Sequence, residues 1–169
     1  DCGKDLREIT NAWREGLSKF EGLPHRLKFV REINGIKFYD DSIATTPGSA
    51  IAAMDAFAEP KVLILGGSDK GADLSELISR ISESSIDELR EVILIGKEAE
   101  KLNSKLKDKN FTRIKNLGLN TTMQQVAKTA FADAQSGDVV ILSPAHASFD
   151  MFKSYVDRGE QFIEAVDEL

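Results

Sequence analysis

The chain is 169 residues long, a length that suits one domain able to bury roughly 70% of its unfolded surface. Its 41% hydrophobic and 30% charged residues match an ordinary globular protein rather than a disordered or fibrous one. A net charge of −6 with no long Lys/Arg stripe excludes a nucleic-acid module, whose affinity comes mainly from cations that neutralise phosphates.

From the N-terminus, Cys2 is the single cysteine, which excludes an internal disulfide and a Cys-rich metal centre and points to a reducing, cytoplasmic compartment. The opening DCGKDLREIT has no signal-peptide core, and nothing approaches the ~18 apolar residues of a membrane span. It does not begin with Met, as expected for a fragment, a processed product or simple Met removal. Residues 4–20 read as an amphipathic helix through Leu6, Ile9, Trp13, Leu17 and Phe20, ended by Gly22 and Pro24. That helix belongs either to a preceding domain or to this one.

Two short alternating runs, RLKFVREI and IKFYD, flank Asn34-Gly35 and predict a β-hairpin. TPGSAIAAMDAF then predicts a helix with a Thr cap and a first-turn Pro. From there strand and helix alternate. KVLILGG, EVILIG and DVVILSPA are apolar runs of the buried-strand type, and FTRIKNL is a weaker strand. Helices are predicted near 73–82, 98–107, 121–134 and 149–156, with a last one at 159–169. The pattern predicts an α/β fold: a Rossmann-like, mostly parallel sheet with helices on both faces, preceded by a β-hairpin.

In such a sheet ligands bind beyond the carboxyl ends of the strands. The residues there are Asp40 to Pro47, Gly66 to Gly71, Gly96-Lys97 and Ser143 to Ser148. No G-x-G-x-x-G and no G-x-x-x-x-G-K-[ST] loop is present, so Gly66-Gly67 reads as a tight turn or a weak phosphate signal. Lys70 is either a rim cation or a solvated lysine. Asp40-Asp41 suit a cation, ribose hydroxyls or a cap. Ser148 fits the cap of a helix that begins at Phe149, a place where backbone amides welcome a carboxylate. His146 reads as packed or catalytic. His25-Arg26 reads as a nucleotide grip or a surface pair.

In order and spacing, G-L-P-H-R (22–26), N-G (34–35), D-D-S-I-A-T-T-P (40–47), L-G-G-S-D-K-G-A-D (65–73), L-S-P-A-H-A-S-F-D-M-F (142–152) and R-G-E-x-F (158–162) resemble the C-terminal domain of the Mur ligase family. The match is closest to the members that add D-glutamate. The resemblance implies a domain at 22–169 preceded, over 1–21, by the end of a central ATPase domain and a linker, with a hinge at Glu21–Pro24. It implies an ATP-dependent ligase that joins D-glutamate to UDP-N-acetylmuramoyl-L-alanine through an acyl phosphate, with ATP and Mg2+ held mainly by the central domain. It carries D-glutamate binding to Thr45, Lys70, Ser148, Phe149 and Tyr155, and nucleotide contacts to His25, Arg26 and Asp41. No complete catalytic set and no metal ligand is carried over, so the isolated domain is expected not to turn over. Ile43 departs from a lysine common in the family. The competing readings are a sibling amide ligase, a signalling receiver domain, and a non-catalytic binding module.

Overall fold

The computed structural model describes residues 10, 11, 13, 14 and 22–169. Most of the helix expected over 4–20 lies outside these residues, as does most of the preceding-domain segment. Six strands, β1 (Lys28–Ile33), β2 (Ile36–Asp40), β3 (Lys61–Gly66), β4 (Leu89–Ile95), β5 (Ile114–Gly118) and β6 (Val139–Ala145), form one sheet. Over residues 22–169 the helices are α1 (Pro47–Asp55), α2 (Ser75–Ser82), α3 (Ala99–Asp108) and α4 (Met123–Asp133), all in the expected places, and α5 (Tyr155–Asp167).

The sheet order is β1-β2-β6-β3-β4-β5. Strand β1 pairs antiparallel with β2, and every other pairing is parallel. The hairpin turns at Asn34 and Gly35, both at positive φ, as a two-residue turn of this hand requires. Strands β3 and β6 are buried along their whole length, because helices cover both faces. Leu63, Leu65, Val139 and Ile141 point to the face packed by α1, α2 and α3. Val62, Ile64, Val140 and Leu142 point to the face packed by α4 and α5. At roughly 25 cal/mol per Å2, these two apolar layers are the main source of stability.

Neighbouring strands β3 and β6 send the chain to opposite faces, β3 towards α2 and β6 towards α5. Their loops therefore diverge and leave a crevice at the carboxyl rim, the usual ligand position in open α/β sheets.

One element differs from expectation. The helices expected at 149–156 and 159–169 are a single turn followed by one helix. The carbonyl of Ser148 accepts from the amides of Met151 (3.2 Å) and Phe152 (2.9 Å), and the coil then ends. Ser154, extended at φ −161°, caps α5 by accepting from the Asp157 amide at 3.1 Å. Ser148 thus opens a turn, not a helix. Gly159 lies inside α5 where the helix meets a crowded neighbour: a Cβ there would overlap His25 and the Asp40 carboxylate.

Candidate functional site: a cavity at the carboxyl rim

Three of the rim loops are tied together by backbone and side-chain hydrogen bonds. The Ala145 amide donates to the Ala44 carbonyl at 2.9 Å, joining the loop after β6 to that after β2. Ser68 donates its amide to Ala147 at 2.8 Å, joining the β3 loop to the β6 loop. Gly67 (φ +136°) makes that approach feasible, since any Cβ there would strike the Ala147 carbonyl. The pair Gly66-Gly67 therefore serves close backbone contact. The fourth loop joins through the Lys97 amide, which donates to the Asp150 carboxylate at 2.8 Å.

Between these loops lies a cavity of about 150 Å3 lined by Ile43, Thr45, Lys70, Ala147, Ser148, Phe149 and Tyr155. The five residues to which the resemblance assigns the amino acid all line it. Larger hollows exist, one of about 270 Å3 between the outer sides of α2 and α3 and an open one beyond Phe149. The first lies away from the strand ends, so position rather than size selects the candidate. Lys70 is exposed, with its ammonium 5.9 Å from the centroid of the Phe149 ring. Among the described residues it is the one cation in the cavity lining. Phe149 is 70% exposed and Tyr155 38%, so both rings stand at the mouth. In the turn opened by Ser148, the Phe149 and Asp150 amides precede the first intraturn bond, which Met151 donates.

The second group, His25, Arg26 and Asp41, sits beyond Tyr155, whose ring lies edge-on to His25 at 6.1 Å. His25 Nδ1 is 2.6 Å from the buried Asp40 carboxylate. Asp41 is 1% exposed, and both of its oxygens are engaged: one accepts from Ser143 Oγ at 2.8 Å, the other from the Leu27 amide at 3.2 Å. Arg26 approaches the latter oxygen at 3.9 Å. Burial raises the Asp41 pKa, against the lowering effect of Ser143, Leu27 and Arg26. These bonds hold His25 (φ 59°) and Leu27 (φ 42°) in left-handed backbone that non-glycine residues seldom adopt. Arg26 is the member of the group with an open face.

Sequence reasoning passed over the strut beneath the cavity. Arg158 is fully buried on α5 and meets only neutral acceptors: Ser42 Oγ (2.9 Å), the Ser42 carbonyl (2.8 Å) and the His146 carbonyl (3.2 Å). Ser42 Oγ passes its own proton to the Tyr155 carbonyl at 2.7 Å. One guanidinium thus spans the loops that carry Thr45 and Ser148. Desolvation lowers its pKa to about 10, so it stays charged at neutral pH. The signal was present in the sequence: Arg158, Phe162, Ala165 and Val166 share one helical stripe, which puts the arginine on the buried side.

His146 is buried as well, with Nδ1 3.2 Å from the Pro144 carbonyl and Nε2 without a partner. Burial lowers its pKa. Among the described residues no group of three or more His, Cys, Asp or Glu side chains is placed to hold a metal ion, and no helix is long and apolar enough to cross a membrane.

A mostly parallel sheet covered by helices, with a cavity at its switch point lined by one ammonium and the hydroxyls of Thr45, Ser148 and Tyr155, defines an α/β domain with a candidate small-ligand site at the carboxyl rim. Residues 25–146 match the family model described as Mur ligase, glutamate ligase domain, and the chain belongs to that family. A UDP-N-acetylmuramoylalanine–D-glutamate ligase of Caldicellulosiruptor bescii is 41% identical over 153 residues, 90% of this chain and 32% of that protein. A protein of the same name from Nitrosomonas europaea is 43% identical over 150 residues, 89% of this chain and 30% of that one. The chain spans about a third of the length of the curated relatives it matches. The crystal structure of MurF ligase from Thermotoga maritima in complex with ADP superposes with a TM-score of 0.57 at 18% identity, covering 95% of this chain and 35% of that one; it shares the fold.

Proposed function

We propose that this chain is the amino-acid-binding domain of an ATP-dependent ligase that joins D-glutamate to UDP-N-acetylmuramoyl-L-alanine in the cytoplasm. The observation that carries the reading is the common cavity of Thr45, Lys70, Ser148, Phe149 and Tyr155. It is joined by the shared name of relatives about 40% identical to the chain.

In this reading Lys70 pairs with the side-chain carboxylate of D-glutamate, and the Thr45 hydroxyl donates to it. A charge-assisted bond of this kind contributes ~1.5–3 kcal/mol. The Ser148 hydroxyl and Phe149 amide hold the α-carboxylate, and Tyr155 walls the pocket. With both carboxylates fixed, the amine is the group left free to attack an acyl phosphate made from ATP and the UDP-MurNAc-L-alanine carboxylate; phosphate then leaves. The domain's contribution is orientation, which removes the entropy cost of bringing amine and acyl phosphate together. Arg26 reaches towards the nucleotide, with His25 and Asp41 holding its segment in place. Mg2+ would neutralise ATP phosphates, and no cluster of described residues fits it.

The test is phosphate release by the natural full-length polypeptide with ATP, UDP-MurNAc-L-alanine and a panel of amino acids. Release should require D-glutamate. Equal or faster release with L-lysine, meso-diaminopimelate or L-glutamate would assign the domain to a sibling amide ligase instead.

A further inference from the structure

Lys70 stands at the tip of a turn closed by its own neighbour. Asp69 Oδ1 accepts from the Gly71 amide at 2.7 Å, an Asx turn around the lysine. The other carboxylate oxygen of Asp69 accepts from Lys101 Nζ, on α3, at 2.9 Å. Lys101 also reaches Glu98 at 3.0 Å, and the Glu98 amide donates to the Gly67 carbonyl at 3.0 Å. The loop is thus fastened to the start of α3 at its first residue and at the residue just before Lys70.

This arrangement solves an electrostatic problem. A carboxylate adjacent in sequence to Lys70 is a rival, always at hand, for any carboxylate of a ligand. Lys101 occupies that rival. The Asp69 carboxyl is held below its ordinary pKa, first by the bond from Lys101 and then by the Gly71 amide. Lys70 meanwhile faces the cavity and the Phe149 ring.

We propose that Lys101, acting through Asp69, is a positioning residue that keeps the Lys70 ammonium available to the ligand's side-chain carboxylate. The proposal rests on the reading of the cavity as the amino-acid pocket. It extends the determinants of amino-acid affinity to a helix that does not touch the ligand.

The test is steady-state kinetics of the full-length polypeptide with D-glutamate as the varied substrate. Lys101→Met frees Asp69 to pair with Lys70. It should raise KM for D-glutamate about three- to fivefold, the scale of an exposed ion pair, with kcat and KM for ATP unchanged. Adding Asp69→Asn should bring KM back, because Asn keeps the acceptor for the Gly71 amide while removing the rival charge. A charge-matched control, Lys101→Met with Glu98→Gln, should not recover, since Asp69 remains free. An unchanged KM in Lys101→Met, or equal recovery in both double variants, would overturn the latch. Lys70→Ala separates the two levels of the argument. If it leaves KM for D-glutamate unaltered, the pocket reading fails and the latch with it. If it raises KM while Lys101→Met does not, only the latch fails.

Discussion

At the scale of single residues, Arg158 shows why a buried cation can be kept where it forms no ion pair. A guanidinium without a contacting carboxylate is costly to desolvate, and its depressed pKa is the signature of that cost. What it returns is geometry: three bonds in fixed planar directions to the loops that follow β2 and β6. Lysine carries the same charge but not the fork. Arg158→Lys should therefore lose ~2–4 kcal/mol of stability, since at least one buried carbonyl is left unpaired. Denaturant melts would check this; a loss near zero would remove the strut. Gly159 gives a second case. Alanine normally favours a helix by about 1 kcal/mol over glycine. Here its Cβ would strike His25 and Asp40, so Gly159→Ala should instead destabilise by ~1–3 kcal/mol. The helical stripe marks Arg158 as buried, but the partners of neither residue could be read from the sequence alone. Arg158 and Ser42 lie 116 residues apart, and the neighbours of Gly159 come from another strand and the segment before β1. Thr45, Lys70 and Ser148 were legible for a different reason: each follows a strand of recognisable type, and parallel strands end on one rim.

At the scale of elements, the apolar runs at β3, β4 and β6 were readable because strands covered on both faces need no alternation. The Asn34-Gly35 turn and the Thr46 cap were readable because they are local chemistry. The segment after β6 was not. Ser148 and Ser154 are both serines before apolar residues, and local pattern cannot rank them. Tertiary contact does so: Ser148 belongs to the loop fastened to Ser68 and the Arg158 strut, whereas Ser154 is extended and free to cap. The two serines should therefore separate by experiment. Ser154→Ala should cost about 1 kcal/mol of stability by loss of the α5 cap, with little change in amino-acid affinity. Ser148 is buried, but Ser148→Ala removes a single oxygen and no cap, so it should cost no more than Ser154→Ala does, about 1 kcal/mol at most, yet weaken D-glutamate binding. Chemical denaturation and calorimetric titration on the same pair of variants would show whether those effects divide in this way.

At the scale of the whole molecule, the rim is held together by groups that respond to acid in opposite senses. His146 is buried between the strut and the latch. The Asp69 and Glu98 carboxylates favour its protonation, the Lys101 ammonium opposes it, and Arg158 is bonded to its carbonyl. Burial outweighs the carboxylates, so the folded-state pKa lies below 6.5. A depressed pKa means that the stabilising contribution is fully present above the unfolded value and is lost as pH falls towards the folded one. Asp41 has the opposite sign. Its pKa is raised, so its contribution is present below 3.8 and declines as pH rises through the folded value. Comparing variants removes what the rest of the chain does with pH. His146→Gln keeps a polar side chain of similar size that never titrates. Between about pH 8 and about pH 5.5, a range that spans the ordinary histidine pKa, the unsubstituted chain should lose more stability than the His146→Gln chain. The difference should appear only below about pH 6.5, where the unfolded histidine begins to take up its proton. Parallel denaturation midpoints for the two chains across that range would mean that His146 is not held neutral by burial. A steeper fall in the Gln variant would mean that the carboxylates of the latch, not the apolar surroundings, govern its proton.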